Sequence, residues 1–280
     1  MKRDGQNPNL RAEVAQASIG GTATRSDYDK AVALAEIADL LSAHPKTRER
    51  IAFKGGAVMH IVDGSPRLSH DLDGTMVAGG RIREQDVRDV LGASEARRII
   101  RNIDKTSSID KDGMRLPFIR CRPMSGVGGD VTVSFSVRWD YPPIMKTEMV
   151  TRTIHGRTVS LRVMARVERA AEKVRAFVVR GLRRDAFDLC YYKTLGLKAD
   201  EIARLGEILA VKMSQDSNTK PGDDLLLMFD EQVLKLAKDW DERRDLSMTR
   251  DIPRWAEIAP AVAYFRDFVP RLRPPDYGKQ

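Results

Sequence analysis

The chain has 280 residues, a formal net charge of +8 and a pI near 9.5, enough length for one large core or two smaller ones without metal or disulfide support. No run of about twenty apolar residues exists to span a bilayer, and the opening MKRDGQNPNL lacks the apolar stretch of a signal peptide, so no membrane partner is expected. Cys121 and Cys190 are far apart and match no zinc or disulfide spacing; a reducing cytoplasm is the expected setting, and the basic balance favours a polyanion such as nucleic acid as partner.

In chain order, residues 1–25 are rich in Gly, Asn, Thr and Arg without a period and read as a flexible arm. Ser26 and Asp27 can cap a helix carrying Val32, Ala35, Leu40 and Leu41 at helical spacing, and Pro45 ends it. The segment IAFKGGAVMHIVDGSPRLSHDLDGTM follows. Gly55 and Gly56 precede an apolar run, Ala57 to Val62, so they can turn tightly and present backbone N–H groups at a helix start, where phosphate is favoured and Lys54 adds a cation. After the turn Asp63-Gly64-Ser65-Pro66, an extended RLSHDLD puts Ser69, Asp71 and Asp73 on one side and Leu68, His70 and Leu72 on the other. Two carboxylates so placed offer hard oxygens suited to Mg2+ or Mn2+, leaving coordination sites for a triphosphate. An isolated D-x-D is also what a solvated strand end looks like.

Glu84 to Asn102 reads as a charged amphipathic helix with Val87, Val90, Leu91 and Ile99 as its apolar stripe. MRLPFIRC, DVTVSFSV, EMVTRTI and TVSLRV alternate as strands of a mixed or mostly antiparallel sheet, the last two joined through His155-Gly156. From Ala165 the period becomes helical, marked by Val167, Ala170, Val174, Phe177 and Val178, with later helices near 200–213, 223–239 and 254–269. DSNTKPGDD reads as a loop and RLRPPDYGKQ as an irregular tail. The expected organisation is an arm over 1–25, a mixed-sheet domain over 26–164 and a helical domain over 165–280.

A second cluster lies in ERAAEKVRAFVVRGLRRDAFDLCYY. On a helix, Asp185 and Asp188 share a face, and Arg184 reaches Asp188 at four residues' separation, a pattern that a surface ion pair also explains. Arg169, Lys173, Arg175, Arg180 and Arg183 add cations that could neutralise a triphosphate and an RNA backbone, although a solvated helix looks similar. His44, His60, His70 and His155 have no metal-ligand spacing.

FKGGAVMHIVDGSPRLSHDLD resembles the KGG, then R-x-S-x-D-x-D signature of the AbiEii/AbiGii abortive-infection toxins, and the second cluster resembles their lysine on a helix followed by R-D-x-x-D. The resemblance implies a DNA polymerase β-like nucleotidyltransferase, an α/β (α+β) fold with a mixed sheet followed by a mainly helical domain. It implies NMP transfer from an NTP to an RNA acceptor, the 3′ end of tRNA, blocking translation and growth, with a cognate antitoxin protein as partner. By residue, it makes Asp71 and Asp73 the metal ligands and, with Lys173 and Asp188, the catalytic set. Lys54, Gly55, Gly56, Ser69, Lys173 and Arg184 become nucleotide-binding, and Ser69 a site for regulatory phosphorylation. The helical domain is expected to close over the cleft and lend Lys173 and Asp188. The family's third strand carboxylate has its counterpart in VTVSF, where Thr132 takes the position and Asp130 lies one residue earlier. Two other classes stay open: a nucleotidyltransferase acting on a small-molecule or protein hydroxyl, and a non-catalytic RNA-binding module.

Overall fold

The computed structural model describes residues 21–77, 82–98, 100–111, 114–123, 133–138, 142–154, 156–216, 218–219, 223–243 and 245–270. They form two compact units: the residues up to Met164 with Leu246–Ile252, and Ala165–Asp245 with the residues from Pro253 onward.

The first unit begins with α1 (Arg25–Ala43). Its cap is Thr24 rather than Ser26 or Asp27: the Asp27 N–H donates to the Thr24 hydroxyl at 3.3 Å while the Asp27 carboxylate accepts from the Thr24 N–H at 2.8 Å and its hydroxyl at 2.7 Å. Asp27 thus acts from the third helical position, closing a reciprocal capping box that satisfies backbone donors the helix leaves orphaned. Burial pushes the Asp27 carboxyl up, but hydrogen bonds from Thr24 and the partnership with His70 outweigh it and leave it below the ordinary 3.8. Because the folded-state value is depressed, the stabilisation is present above the unfolded carboxyl's pKa and is lost as pH falls through the lower folded value. Thr24→Ala is expected to cost about 1 kcal/mol at neutral pH in urea unfolding, and the difference should shrink in acid. Equal stabilities at neutral pH would contradict this role.

Of the arm expected over 1–25, residues 1–20 lie outside the described residues, and the end of it is tied down. Ala23 N–H donates to Met248 O at 2.8 Å, and the Thr22 hydroxyl bonds the Leu246 carbonyl.

Among the described residues a seven-stranded mixed sheet has the order β3-β4-β5-β2-β1-β7-β6. Its strands are β1 (Ile51–Lys54), β2 (Asp71–Met76), β3 (Ile100–Lys111), β4 (Met114–Pro123), β5 (Val133–Arg138), β6 (Glu148–Ile154) and β7 (Arg157–Val163). β1 pairs antiparallel with β2 and parallel with β7, while β2 pairs parallel with β5. Central β1 is buried along its whole length, as a strand covered on both faces must be, whereas edge strand β6 is largely exposed. α2 (Gly55–Asp63) follows β1 directly and α3 (Glu84–Gly92) follows β2. Leu34, Ile37 and Leu41 of α1, Val58 and Ile61 of α2 and Val87, Val90 and Leu91 of α3 share one core with Ile51, Phe53, Leu72, Leu161 and Val163 of the sheet.

The helix expected over Glu84–Asn102 is corrected: α3 ends at Gly92, a short 3-10 turn spans Ser94–Arg98 and β3 starts at Ile100. Gly92 is a poor helix former and Ala93 turns extended at ψ 161, which frees the chain to change period. Val87, Val90 and Leu91 are buried as the apolar stripe requires, and Ile99 lies outside the described residues.

Segment Leu246–Ile252 returns to the first unit, although it falls in the half read as helical. Its backbone pairs with the chain just ahead of β2: Leu68 N–H donates to Ser247 O at 2.9 Å and Thr249 N–H to Pro66 O at 2.8 Å.

The second unit contains α4 (Arg166–Arg180), α5 (Arg183–Leu195), α6 (Ala199–Ser214), α7 (Leu225–Ala237) and α8 (Trp255–Arg266). Val167, Ala170, Val174, Phe177 and Val178 are all buried, and Phe177 packs against Phe229 of α7 with ring centroids 4.8 Å apart. α4 is pinned to α6 by charge as well: Lys212, fully buried, pairs with Glu168 at 2.7 Å and Glu172 at 3.1 Å. Among the described residues no helix is long and apolar enough to cross a membrane.

Candidate active site

The β1–α2 junction builds one wall of the site. Lys54 ends β1 in an extended conformation, and Gly55 then takes φ +81, in the left-handed region where only glycine is unstrained, so that α2 can begin at once. β2 runs alongside in a register that sets Lys54 opposite Asp73 and Phe53 opposite Gly74. In β2, Leu72 is fully buried while Asp71 is exposed and Asp73 half-buried, the alternation expected of a strand with one face in the core.

The space a side chain would need at either glycine is already taken. A Cβ on Gly55 would stand 2.5 Å from Oδ2 of Asp73, and one on Gly56 would stand 2.5 Å from Nη2 of Arg67 and 3.1 Å from Oγ of Ser69. The turn and the 67–73 segment are therefore in direct contact. Gly55→Ala is expected to cost about 1–2 kcal/mol of stability in denaturant unfolding, from the left-handed backbone, and to displace the Asp73 carboxylate. A variant as stable and as active as the parent would contradict that placement.

Ser69, half-exposed, donates its hydroxyl hydrogen bond to the Asp71 carbonyl at 3.2 Å. His70 points the other way, its Nε2 2.7 Å from Oδ1 of Asp27. Lys54 is buried beside the turn at 7 % exposure. Gly55, Gly56, Ser69, Asp71, Asp73 and Lys54 are thus brought together. Arg67 was absent from the set of expected site residues, although it supplies the R of the R-x-S-x-D-x-D signature and alternates with Ser69, Asp71 and Asp73 along the same extended run.

The parallel pairing of β5 with β2 sets Ser134 beside Asp71 and Ser136 beside Asp73. On the β5 side the neighbours of the two carboxylates are therefore serines, and Asp130 lies outside the described residues. Among the described residues no cluster of three or more His, Cys, Asp or Glu stands ready to hold a metal ion.

In the second unit, Lys173 of α4 and Asp188 of α5 meet at 2.6 Å, with the Asp188 side chain fully buried and Lys173 nearly so. Asp188 is thus not the partner of Arg184, which is exposed. Asp185 accepts two hydrogen bonds from Arg180, both at 2.8 Å. The cations read as a polyanion surface are mostly consumed within the unit. Arg183 is buried, bonded to the carbonyls of Asp239, Trp240 and Arg243, paired with Asp245 at 2.7 Å and stacked 4.5 Å from the Trp240 ring. Arg175 lies between Glu172, at 3.0 Å, and Asp216. Burial alone would lower the Arg175 pKa, but the two carboxylates outweigh it and raise it. Burial likewise pushes Asp216 up, and the Asn218 backbone N–H and Arg175 bring it below the ordinary carboxylate range.

Three comparisons bear on this arrangement. The family model for the nucleotidyl transferase AbiEii toxin of type IV toxin–antitoxin systems matches residues 39–265. Among solved structures, the nucleotidyltransferase toxin MenT4 from Mycobacterium tuberculosis is similar at a TM-score of 0.63 and 21 % identity, covering 94 % of this chain and 89 % of that one. JHP933 from Helicobacter pylori is similar at 0.52 and 17 %, covering 88 % of this chain and 92 % of that one. No curated protein sequence matches. At these identities the structural likeness speaks for the fold.

Proposed function

Since the chain belongs to the AbiEii family of nucleotidyl transferase toxins of type IV toxin–antitoxin systems, we propose that it transfers an NMP from an NTP to RNA, at the 3′ end of tRNA, and so blocks translation and growth. The observation that carries this reading is the contact of the Gly55–Gly56 turn with the strand bearing Asp73: a helix start that can receive phosphate lies directly against an acidic strand.

Asp71 and Asp73 fit a divalent cation by donor chemistry, two hard carboxylates on one side of a strand, with water and triphosphate oxygens left to complete the shell. Mg2+ or Mn2+ held there would lower the pKa of the acceptor hydroxyl and neutralise triphosphate charge. The protein's part is positioning. The N–H groups at the start of α2 hold phosphate oxygens, and Lys54 adds positive potential behind the turn. Lys173 is assigned to the nucleotide phosphates. Its ammonium carries three donors, so Asp188 fixes its direction without exhausting it. Exposed Arg184 is a further phosphate contact. In the reaction the acceptor oxygen bonds the α-phosphorus, the bond to the β-phosphate oxygen breaks, pyrophosphate leaves and the hydroxyl proton passes to solvent.

Ser69 is the site at which a covalent phosphate would add negative charge beside Asp71 and Asp73 and repel the triphosphate, a form of restraint open to the cognate antitoxin. The cytoplasm, where NTP and tRNA are present, is the setting this activity requires.

The test incubates purified protein and MgCl2 with each α-labelled NTP in turn and total RNA. Label on a tRNA-sized band supports the reading. Label on protein or a small molecule alone redirects the acceptor, and no label with any NTP contradicts transfer.

A further inference from the structure

We propose that Arg67 is a positioning residue of the nucleotide site, its guanidinium holding the Gly55–Gly56 turn in the conformation that receives a triphosphate; this rests on the nucleotidyl-transfer reading of that site. The backbone of Arg67 and the tip of its side chain are both held. At its base, Arg67 forms an isolated antiparallel bridge with Met248, and its N–H donates to the Ser65 hydroxyl at 3.3 Å. At its tip, Nη1 donates to the Leu68 carbonyl at 3.3 Å, while Nη2 and Cζ lie 2.5 and 3.3 Å from the place a Cβ on Gly56 would take. The residue is only 7 % exposed.

A buried guanidinium is costly unless it is held by several acceptors, so its presence under this turn calls for a role. Its fork fits into the space a glycine leaves open, which a Cβ at position 56 would take and which the single tetrahedral ammonium of a lysine would not fill in the same way. The Ser69 hydroxyl completes the contact from the same face of the segment. Gly56 and Arg67 therefore form a coupled pair. A methyl at position 56 meets the far end of a flexible side chain, so the fold tolerates it, but the guanidinium must leave its place.

The test is a double-mutant cycle on the full chain, reading KM for NTP, kcat and the urea midpoint for Gly56→Ala, Arg67→Ala, the pair together, and Arg67→Lys. Each single change is expected to raise KM about tenfold with kcat altered less than about threefold, and the pair to be no worse than Arg67→Ala alone. Arg67→Lys should not restore KM, whereas millimolar guanidinium added to Arg67→Ala should. Additive effects in the pair, full function of Arg67→Lys, or a lower urea midpoint with unchanged KM in Arg67→Ala would each overturn the role of Arg67 alone. Absence of transfer by the wild type with every NTP would overturn both this role and the activity on which it rests.

Discussion

Asp73→Asn is expected to lower nucleotide transfer by about a hundredfold to a thousandfold, the size of several kcal/mol of lost charge stabilisation at a cation and triphosphate. The substitution keeps the shape of the side chain and removes its charge. The strand that carries it is held by backbone pairing on both sides, to β1 through Lys54 and to β5 through Ser136, so the register should survive. Asp73 is half-buried against Gly55, which fixes the carboxylate where the α2 start can share a ligand with it. Transfer within about threefold of wild type, by a variant with wild-type unfolding, would remove Asp73 from the chemistry.

Lys173→Ala is expected to abolish transfer and to cost about 3–5 kcal/mol of stability, because it strands a fully buried Asp188 without its counter-charge. Activity loss in that variant alone would therefore be ambiguous. Replacing both partners, as Lys173→Met with Asp188→Leu, removes the stranded charge and should recover most of the stability while leaving the protein inactive. An active double variant would show that the pair is only a structural brace between α4 and α5. Denaturant unfolding and the labelling assay, run on both variants, separate the two outcomes.

The strand of the candidate site was legible as a strand because alternation over Ser69–Asp73 places the acidic residues opposite buried Leu72, and the β1–α2 junction needs glycine where Gly55 stands. The β6–β7 hairpin and α4 were legible for the same reason, each having a clean period over its whole length. β3 was hidden because ARRIIRNI satisfies a helical stripe and a strand alternation alike, and only Gly92 marks the change. Local spacing did not reveal the partners within the second cluster. Arg184 and Asp188 are four residues apart on one helix, yet Asp188 pairs with Lys173 from a different helix and Asp185 with Arg180 across the turn between them. Such pairs depend on helix packing, which no single-helix pattern encodes. The return of Leu246–Ile252 to the first unit, and the backbone pairing that seats Arg67, are long-range in the same sense.

The most direct measurement is calorimetric binding of a non-hydrolysable NTP analogue, with and without Mg2+, to the wild-type chain and to a variant carrying Asp71→Asn and Asp73→Asn together. Wild type should bind at least about tenfold more tightly when Mg2+ is present, and the variant should lose that dependence. Cation-independent binding of equal strength by both proteins would contradict the metal–triphosphate site on β2.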